Sequence, residues 1–499
     1  MEATHRLRTH CFSACYQRLV CRYFPSPLST HTYQIASTMP DDATPQLERG
    51  LNTLHATSLN VANMLGAGPF ITIPLLLGAM HGPQAMVGWV VAMLVVMCDG
   101  LIWAELGAAF PGSGGTYHFL KEIFKGSFWG KLLPFLFIWQ FLVSGTLEVA
   151  SGYIGASRFA ISLAPNYRDL AHGWGWNETV TVGLPACVFV GLIYLALRQR
   201  IRSLGWLSTV LVAGVLVAVG TVIVLGAFNF DAAKITFPAD AFKLDKRFVI
   251  GLGAAMTVAV YDYLGYYNIC HLGEEVRNPE KTIPRAVLLS IVVVAAIYMA
   301  MNMAFIGVVP WQEAVTKGTL ANENIAGAFM TKLHGERAAA GFTLLIIWTC
   351  LAGLFAMTLG YSRILYAAAK NGDFFAPFAQ LHPTKGYPGA ALALLCLLTA
   401  LFCFVPLQVV IDGAVTVRIV IQFMGQIFAL HVVRRAGRHP LPFRMWFYPL
   451  PSLIALVGWL FLLATSAWPL LALLAGVYAS GVVVFAMRGI WSGQRPSVK

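Results

Sequence analysis

Asn63-Met64-Leu65-Gly66-Ala67-Gly68-Pro69-Phe70 lies inside an apolar run from about Thr53 to Gly78. Such a run is long enough to cross a bilayer at roughly 20 residues per span. Two glycines and a proline in its middle argue against one continuous helix. Pro69 has no backbone N–H, and it pushes Gly68 away from the α region. A helix broken inside a membrane leaves carbonyls and amides that lipid cannot satisfy, so irregular backbone survives there only when buried in protein or lining a cavity. Two readings stay open at this point. The break is a binding site, or it is a packing device, because glycines let membrane helices approach closely and prolines are tolerated in them.

Composition sets the surroundings of this stretch. The chain has 499 residues, 58% hydrophobic and 11% charged, with a mean hydropathy of +0.69. Soluble domains carry roughly 25% charge, so the sequence is that of an integral membrane protein. The net charge of +12 reads as basic loops rather than a nucleic-acid surface. Nine cysteines offer no metal-ligand spacing. Cys98, Cys187, Cys270, Cys350, Cys396 and Cys403 lie in apolar runs as small core residues, and Cys11, Cys15 and Cys21 are unevenly spaced. No metal and no cofactor are expected.

Residues 1–48 form a polar tail containing Arg6, Arg8, Arg18 and Arg22. Its first 38 residues resemble a transit peptide in composition, or translation begins at Met39. Beyond it come twelve hydrophobic spans near 53–78, 84–109, 132–158, 180–197, 204–228, 248–272, 286–309, 339–368, 388–405, 408–431, 446–465 and 468–487. The expectation is a single all-α transmembrane domain over 49–490, followed by a short tail at 491–499. Lysine and arginine are more than twice as frequent in the even-numbered connections and tails as in the odd-numbered ones. Lys121, Lys125 and Lys131, Arg198, Arg200 and Arg202, and Arg434, Arg435, Arg438 and Arg444 are examples. By the positive-inside rule both termini are then cytoplasmic.

The sixth span carries a second interruption, Tyr261-Asp262-Tyr263-Leu264-Gly265-Tyr266-Tyr267-Asn268. It lies five spans after the first. Breaks at corresponding positions of two halves point to a transporter site built from inverted repeats. A half-helix N-terminus offers amides and positive potential to an anion, and a C-terminus offers carbonyls to a cation. The bland alternative makes the four tyrosines interfacial anchors.

These residues resemble the amino acid–polyamine–organocation permeases. Gly66-Ala67-Gly68-Pro69-Phe70 is similar to the first-helix signature, Ala104-Glu105-Leu106-Gly107 through Gly115-Thr116-Tyr117 to the end of the second helix, and Gly273-Glu274-Glu275-Val276 through Thr282-Ile283-Pro284-Arg285-Ala286 to the loop after the sixth. Ser362-Arg363 through Lys370-Asn371-Gly372, then His382-Pro383 and Pro388, resemble the eighth helix and its loop. The resemblance implies a LeuT-like fold of two inverted five-helix repeats, about 53–228 and 248–431, with discontinuous helices 1 and 6 and two extra helices over 446–487. It implies alternating access, coupled to protons as the expected ion or to sodium, or run as exchange. Plasma or inner membrane is the implied location. Segments around Gly68-Pro69-Phe70, Asp99 and Ser144-Gly145-Thr146-Leu147-Glu148 are similar to plant-type polyamine uptake transporters, whereas Tyr266-Tyr267-Asn268 departs from the Trp-Asp-Asn of that branch. The fifth span lacks the lysine that many relatives use in place of a bound cation. The third-to-fourth connection, near 159–179, has no cysteine, so no disulfide-linked accessory subunit is expected.

Gly66, Ala67, Gly68, Tyr261, Asp262, Leu264 and Asn268 are therefore the candidate substrate-binding residues, with Tyr261 matching the aromatic that shields substrate in relatives. Asp99, Glu148 and Asp262 are the candidates for coupled charge or proton, because charged groups within spans default to functional roles. Asp99 alternatively pairs with Arg418 or bonds a helix backbone. Glu148 alternatively attracts a cationic substrate. Glu105, near the end of span 2, reads as a structural cap or a loop contact. A membrane enzyme, a non-transporting nutrient sensor and a channel are the competing classes. The scattered histidines lack ligand spacing, the tail after Arg488 is short for a sensor, and a channel would conduct without saturable uptake. The expected substrate is an amino acid, a related amine or a polyamine such as putrescine or spermidine. Pro69 removes one amide from the anion side of the break, which tilts recognition toward the substrate's amine.

Overall fold

Each of the twelve hydrophobic stretches carries α-helix over part or all of its length in the computed structural model, which describes residues 49–491 apart from Ala67, 199–203, Thr384 and Arg438. The readings made for the two tails, for Ala67 and for Arg200, Arg202 and Arg438 lie outside the described residues. In order, the α-helices are α1 Thr53–Met64, α2 Gly68–Met80, α3 Met86–Ala109, α4 Thr116–Ile123, α5 Trp129–Ser162, α6 Pro165–Gly173, α7 Glu178–Leu197, α8 Leu204–Phe228 and α9 Lys246–Tyr263. Then follow α10 Pro279–Val308, α11 Trp311–Val315, α12 Leu320–Glu323, α13 Ile325–Lys370, α14 Gly389–Phe402, α15 Leu407–Arg418, a π-helical stretch Ile419–Met424, α16 Gly425–Ala436, α17 Leu450–Thr465 and α18 Trp468–Trp491. No β-strand occurs among the described residues, only two isolated bridges.

Among the described residues, seven helical stretches are long and apolar enough to cross a bilayer unaided. The pair α1 and α2, bent by 53°, makes an eighth. Ala213–Phe228, Gly389–Phe402 and Leu450–Thr465 are shorter apolar helices. The remaining expected span is α9, which ends at Tyr263 well short of the sequence estimate. Large apolar side chains such as Val188, Leu192, Leu216, Phe428 and Val457 are exposed, as a lipid-facing surface requires.

Local chemistry sets several helix starts. Asn52 accepts from His55 N (2.9 Å), Asn177 from Val180 N (2.9 Å), Asp245 from Phe248 N (3.0 Å) and Asn324 from Gly327 N (2.8 Å). Each satisfies an amide the helix itself leaves free. Packing then gathers the broken segments at the centre: α10 lies against α1 and α3, and α9 against α2 and α3. Around them α5 packs on α13 and α15, while α17 lies on α3 and α18 on α5.

At one end of the bundle two of the quoted motifs meet. Leu51 N donates to Glu275 O (3.0 Å) and Arg277 N to Leu51 O (2.9 Å). Gly114 N donates to His271 O (3.1 Å), and Ser113 N reaches Glu274 Oε1 at 3.3 Å. The segments entering α1, leaving α3 and leading into α10 are thus stitched together by backbone. Glu105 is fully buried beside them, held by both guanidinium arms of Arg434 (2.7 and 2.6 Å) and by Met445 N (2.9 Å). That is the structural role expected for Glu105.

Candidate functional site: two broken helices

The first break is short. Leu65 N still donates to Val61 O (2.9 Å), so α1 keeps its last turn, and α2 resumes at Gly68. Pro69 falls in the first turn of α2, where an amide has no intrahelical acceptor and its loss costs the helix nothing. The second break begins later than the sequence suggested. Tyr261 and Asp262 are in the last turn of α9, and the chain leaves the helix at Leu264 (ψ 131°). Gly265 follows with φ +112°, a conformation only glycine adopts readily. Beyond it the expected outgoing half-helix is replaced by two 3₁₀ turns, Asn268–His271 and Gly273–Glu275. α2 therefore presents a half-helix N-terminus and α9 a half-helix C-terminus, while no outgoing α-helix begins directly after the second break.

The two breaks touch directly. A Cβ on Gly265 would fall 2.4 Å from Asn63 Nδ2, and one on Gly68 would fall 2.4 Å from Asp262 Oδ1. Three polar side chains fasten them. Asn60, inside α1, donates to Tyr266 O (2.6 Å) and accepts from Ile269 N (2.9 Å), so it serves both backbone groups left free by the second break. Thr72, one turn into α2, places its hydroxyl 2.9 Å from Gly68 O and 2.6 Å from Asp262 Oδ2. Tyr298, on α10, donates to Met64 O at the end of the first half-helix and lies 3.2 Å from Asp262 O at the end of α9. Buried carbonyls that a broken helix would leave unpaired are satisfied in this way.

The carboxyl groups separate by their partners. Glu148 on α5 is bound by the guanidinium of Arg418 and by Tyr361 OH (2.6 Å). Their side chains are 7% and 1% exposed. Arg418 ends α15 where the π-helical stretch begins, and also donates to Ser144 Oγ (3.2 Å). Asp99 pairs with neither Arg418 nor a helix backbone. It accepts from Tyr266 OH (2.5 Å) and Trp459 Nε1 (3.1 Å), so both expected alternatives give way to a hydroxyl and an indole. Asp262 is 2% exposed. Its Oδ1 has no hydrogen-bond partner, and no ion pair to it occurs among the described residues.

Of the other candidates, Tyr261 is half-buried and its hydroxyl lies 2.5 Å from Ser151 Oγ. Leu264 is buried at the turn itself, and Asn268 is half-buried with its amide on Gly265 O (3.0 Å). Gly66 borders open space: the nearest atom to an added Cβ is Asn63 O at 4.0 Å. The remaining tyrosines are not interfacial anchors. Tyr263 packs edge-on against Trp89 (centroids 5.2 Å apart), and Tyr267 stacks on Trp103 (4.4 Å, 12°). Among the described residues no group of three His, Cys, Asp or Glu is placed to hold a metal.

Asn60, Thr72 and Tyr298 were not singled out by sequence reasoning. The available signal was weak but real: each is a hydrogen-bonding side chain inside an apolar helix, where an unpaired polar group is costly. The junction thus brings together a buried carboxyl on Asp262, the carbonyl ends of α1 and α9 bonded to Tyr298, and open space beside Gly66.

Comparison with known proteins places the chain in a family. The family model described as amino acid permease matches residues 51–486. The serine/threonine exchanger SteT of Bacillus subtilis (strain 168) is 25% identical over 428 residues, covering 84% of this chain and 91% of the relative. The large neutral amino acids transporter small subunit 2 of Rattus norvegicus is 26% identical over 467 residues, 89% of this chain and 81% of its own. Cationic amino acid transporter 4 of Homo sapiens is 27% identical over 364 residues, 71% of this chain and 55% of its own.

Proposed function

The chain belongs to the amino acid permease family, a family of integral membrane transporters and not of enzymes, and from that premise we propose that it is a secondary active permease working by alternating access. Its substrate is an amino acid or a related amine, bound where the breaks around Gly66–Gly68 and Leu264–Gly265 meet. The observation that carries this reading is the contact between the breaks. Asp262 from the second half lies against Gly68 and Thr72 of the first, and Tyr298 reaches the carbonyl ends of both half-helices. Such a junction is where transporters of repeated architecture bind substrate. The repeats are about 53–228 and 248–431, both termini are cytoplasmic, and the clasp at Leu51 and Arg277 then lies on the cytoplasmic side.

We assign coupling to the proton, with Asp99 as its carrier. Among the described residues Asp99 is held only by neutral donors, and one of them, Tyr266, belongs to the second break. Protonation of Asp99 weakens its hold on Tyr266 and so reaches the binding site. Glu148 is less suited, because Arg418 already compensates its charge.

The test is uptake by the purified chain in proteoliposomes, with neutral, cationic and acidic amino acids and with putrescine and spermidine. Under an inward proton gradient wild type accumulates substrate. Asp99→Asn retains exchange and loses gradient-driven accumulation. Accumulation driven by sodium alone overturns the coupling assignment, and no saturable flux of any compound overturns the permease reading.

A further inference from the structure

We infer that the crevice between α1, α8 and α10 is a binding site for an anionic phospholipid, whose chain fills the crevice and whose phosphate rests on Lys281 and Arg285. α10 packs against both α1 and α8, so it floors a groove that has those two helices as walls. A cavity of about 280 Å³ lies there, lined by Thr57, Val61 and Leu65 of α1, Val215 and Leu216 of α8, and Val293 of α10. That is close to the lower end of ligand-sized pockets, roughly 300 Å³. It borders the lipid-facing surface, for Leu59, Leu216, Val217, Leu289 and Val292 are all exposed. A zwitterion finds no counter-charge on these walls, whereas a hydrocarbon chain finds apolar contact along them. One polar group breaks the pattern. Thr57 is 7% exposed and its hydroxyl has no hydrogen-bond partner, so a donor is kept in an apolar place at a cost. The ester carbonyl that a phospholipid carries just below its headgroup accepts that proton.

The headgroup end follows from α10. Lys281, Arg285, Leu289 and Val292 recur at intervals of three and four and are all exposed, so they form one stripe along the helix. Its apolar part begins directly after Arg285, which sets that guanidinium at the level of lipid phosphates. From Arg285 to Val293 the helix rises about 12 Å, so a chain hanging from a phosphate at Arg285 passes alongside the cavity. Neither Lys281 nor Arg285 forms an ion pair among the described residues. Glu280, the acid of that turn, is placed roughly 100° round the helix from Lys281. Basic groups beside a gap between membrane helices are where anionic headgroups settle. The chain also lies against Leu65, the residue that caps α1, so the lipid braces α1 next to the first break.

The full chain is purified, delipidated in a neutral detergent, and melted with phosphatidylglycerol or phosphatidylcholine of identical chains, while native mass spectrometry counts the lipid retained. Phosphatidylglycerol is expected to raise the melting midpoint and to stay bound. With two cations at the phosphate, phosphatidylcholine should need about thirtyfold more lipid for the same effect. Lys281→Gln combined with Arg285→Gln, both at exposed positions, should erase that preference. Val293→Trp, which fills the cavity, should lose the retained lipid, and Thr57→Val should weaken its retention without lowering the melting midpoint of the lipid-free protein. Equal effects of the two lipids on wild type overturn the inference, and that comparison needs no variant to fold. A preference that survives the double substitution overturns it as well, as does glycerol phosphate competing as strongly as the intact lipid, which would leave the crevice without a chain. A dimer that Val293→Trp dissociates also overturns it, because a second copy then covers the crevice.

Discussion

Gly68→Ala puts one methyl group where the junction has no room. The new Cβ would lie 2.4 Å from Asp262 Oδ1 and 3.4 Å from its Cγ. A long flexible side chain would swing away cheaply. Asp262 is short, and its other oxygen is tied to Thr72 at 2.6 Å, so relieving the clash means giving up that bond or shifting the start of α2. Overpacking of this kind costs about 1–3 kcal/mol, and a hydrogen bond contributes about 0.5–1.5 kcal/mol. Because one displacement relieves the other, the two do not add, and about 1–3 kcal/mol is expected. If half of that falls on the substrate-competent arrangement, uptake drops roughly two- to twelvefold. Gly66→Ala is the internal control. Its added Cβ has nothing nearer than 4.0 Å, so thermal stability in detergent should match wild type, while uptake falls in proportion to substrate size. Initial-rate uptake and melting of the two purified variants, measured side by side, decide the matter. Wild-type uptake by Gly68→Ala at normal expression would falsify the placement of Asp262 at the end of α2.

Tyr298→Phe removes the hydroxyl that serves both half-helix ends. It should cost about 1–3 kcal/mol and reduce uptake more than it reduces the melting temperature; a loss of stability with normal uptake per folded molecule would make Tyr298 a packing residue only. Glu148→Gln leaves Arg418 buried without its counter-charge, a loss of about 3–5 kcal/mol. Pairing it with Arg418→Met should restore much of that stability in a double-mutant cycle, and purely additive losses would deny the coupling. Asn60→Ala strips partners from Tyr266 O and Ile269 N at once, and hydrogen exchange at Ile269 should rise accordingly; unchanged protection there would refute the assignment.

Hydropathy made the helical segments legible, and the glycine–proline punctuation at Gly66 to Pro69 located the first break to within a residue. The second break was legible as a disturbance but not as a geometry. Nothing local distinguishes Tyr263, still helical, from Tyr266, already past the turn, because the divide is Gly265 fitting against Asn63 of α1. The partners were illegible for the same reason. Thr72 and Asp262 are 190 residues apart, and Met64 and Tyr298 are 234 apart. A lone polar residue in an apolar helix announces that it needs a partner, yet not which one. Asp99 shows the limit well. An intramembrane carboxylate suggests a cation, and Arg418 was the obvious one, but three-dimensional packing gave that arginine to Glu148 and left Asp99 with a phenol and an indole.

The Tyr298 hydroxyl has one proton and two carbonyls within reach. Both cannot be served fully at once, so a tilt of the α1 arm that withdraws Met64 hands the proton to Asp262 O without ever leaving the hydroxyl unpaired. In the proposed alternating access, motion at the junction would exchange one hydrogen bond for another, and the full penalty of a buried, unmade bond would not stand in its path. Two arms that share a single donor cannot move independently either. The same atom that makes the breaks tolerable at the centre of a membrane also makes them answer to each other.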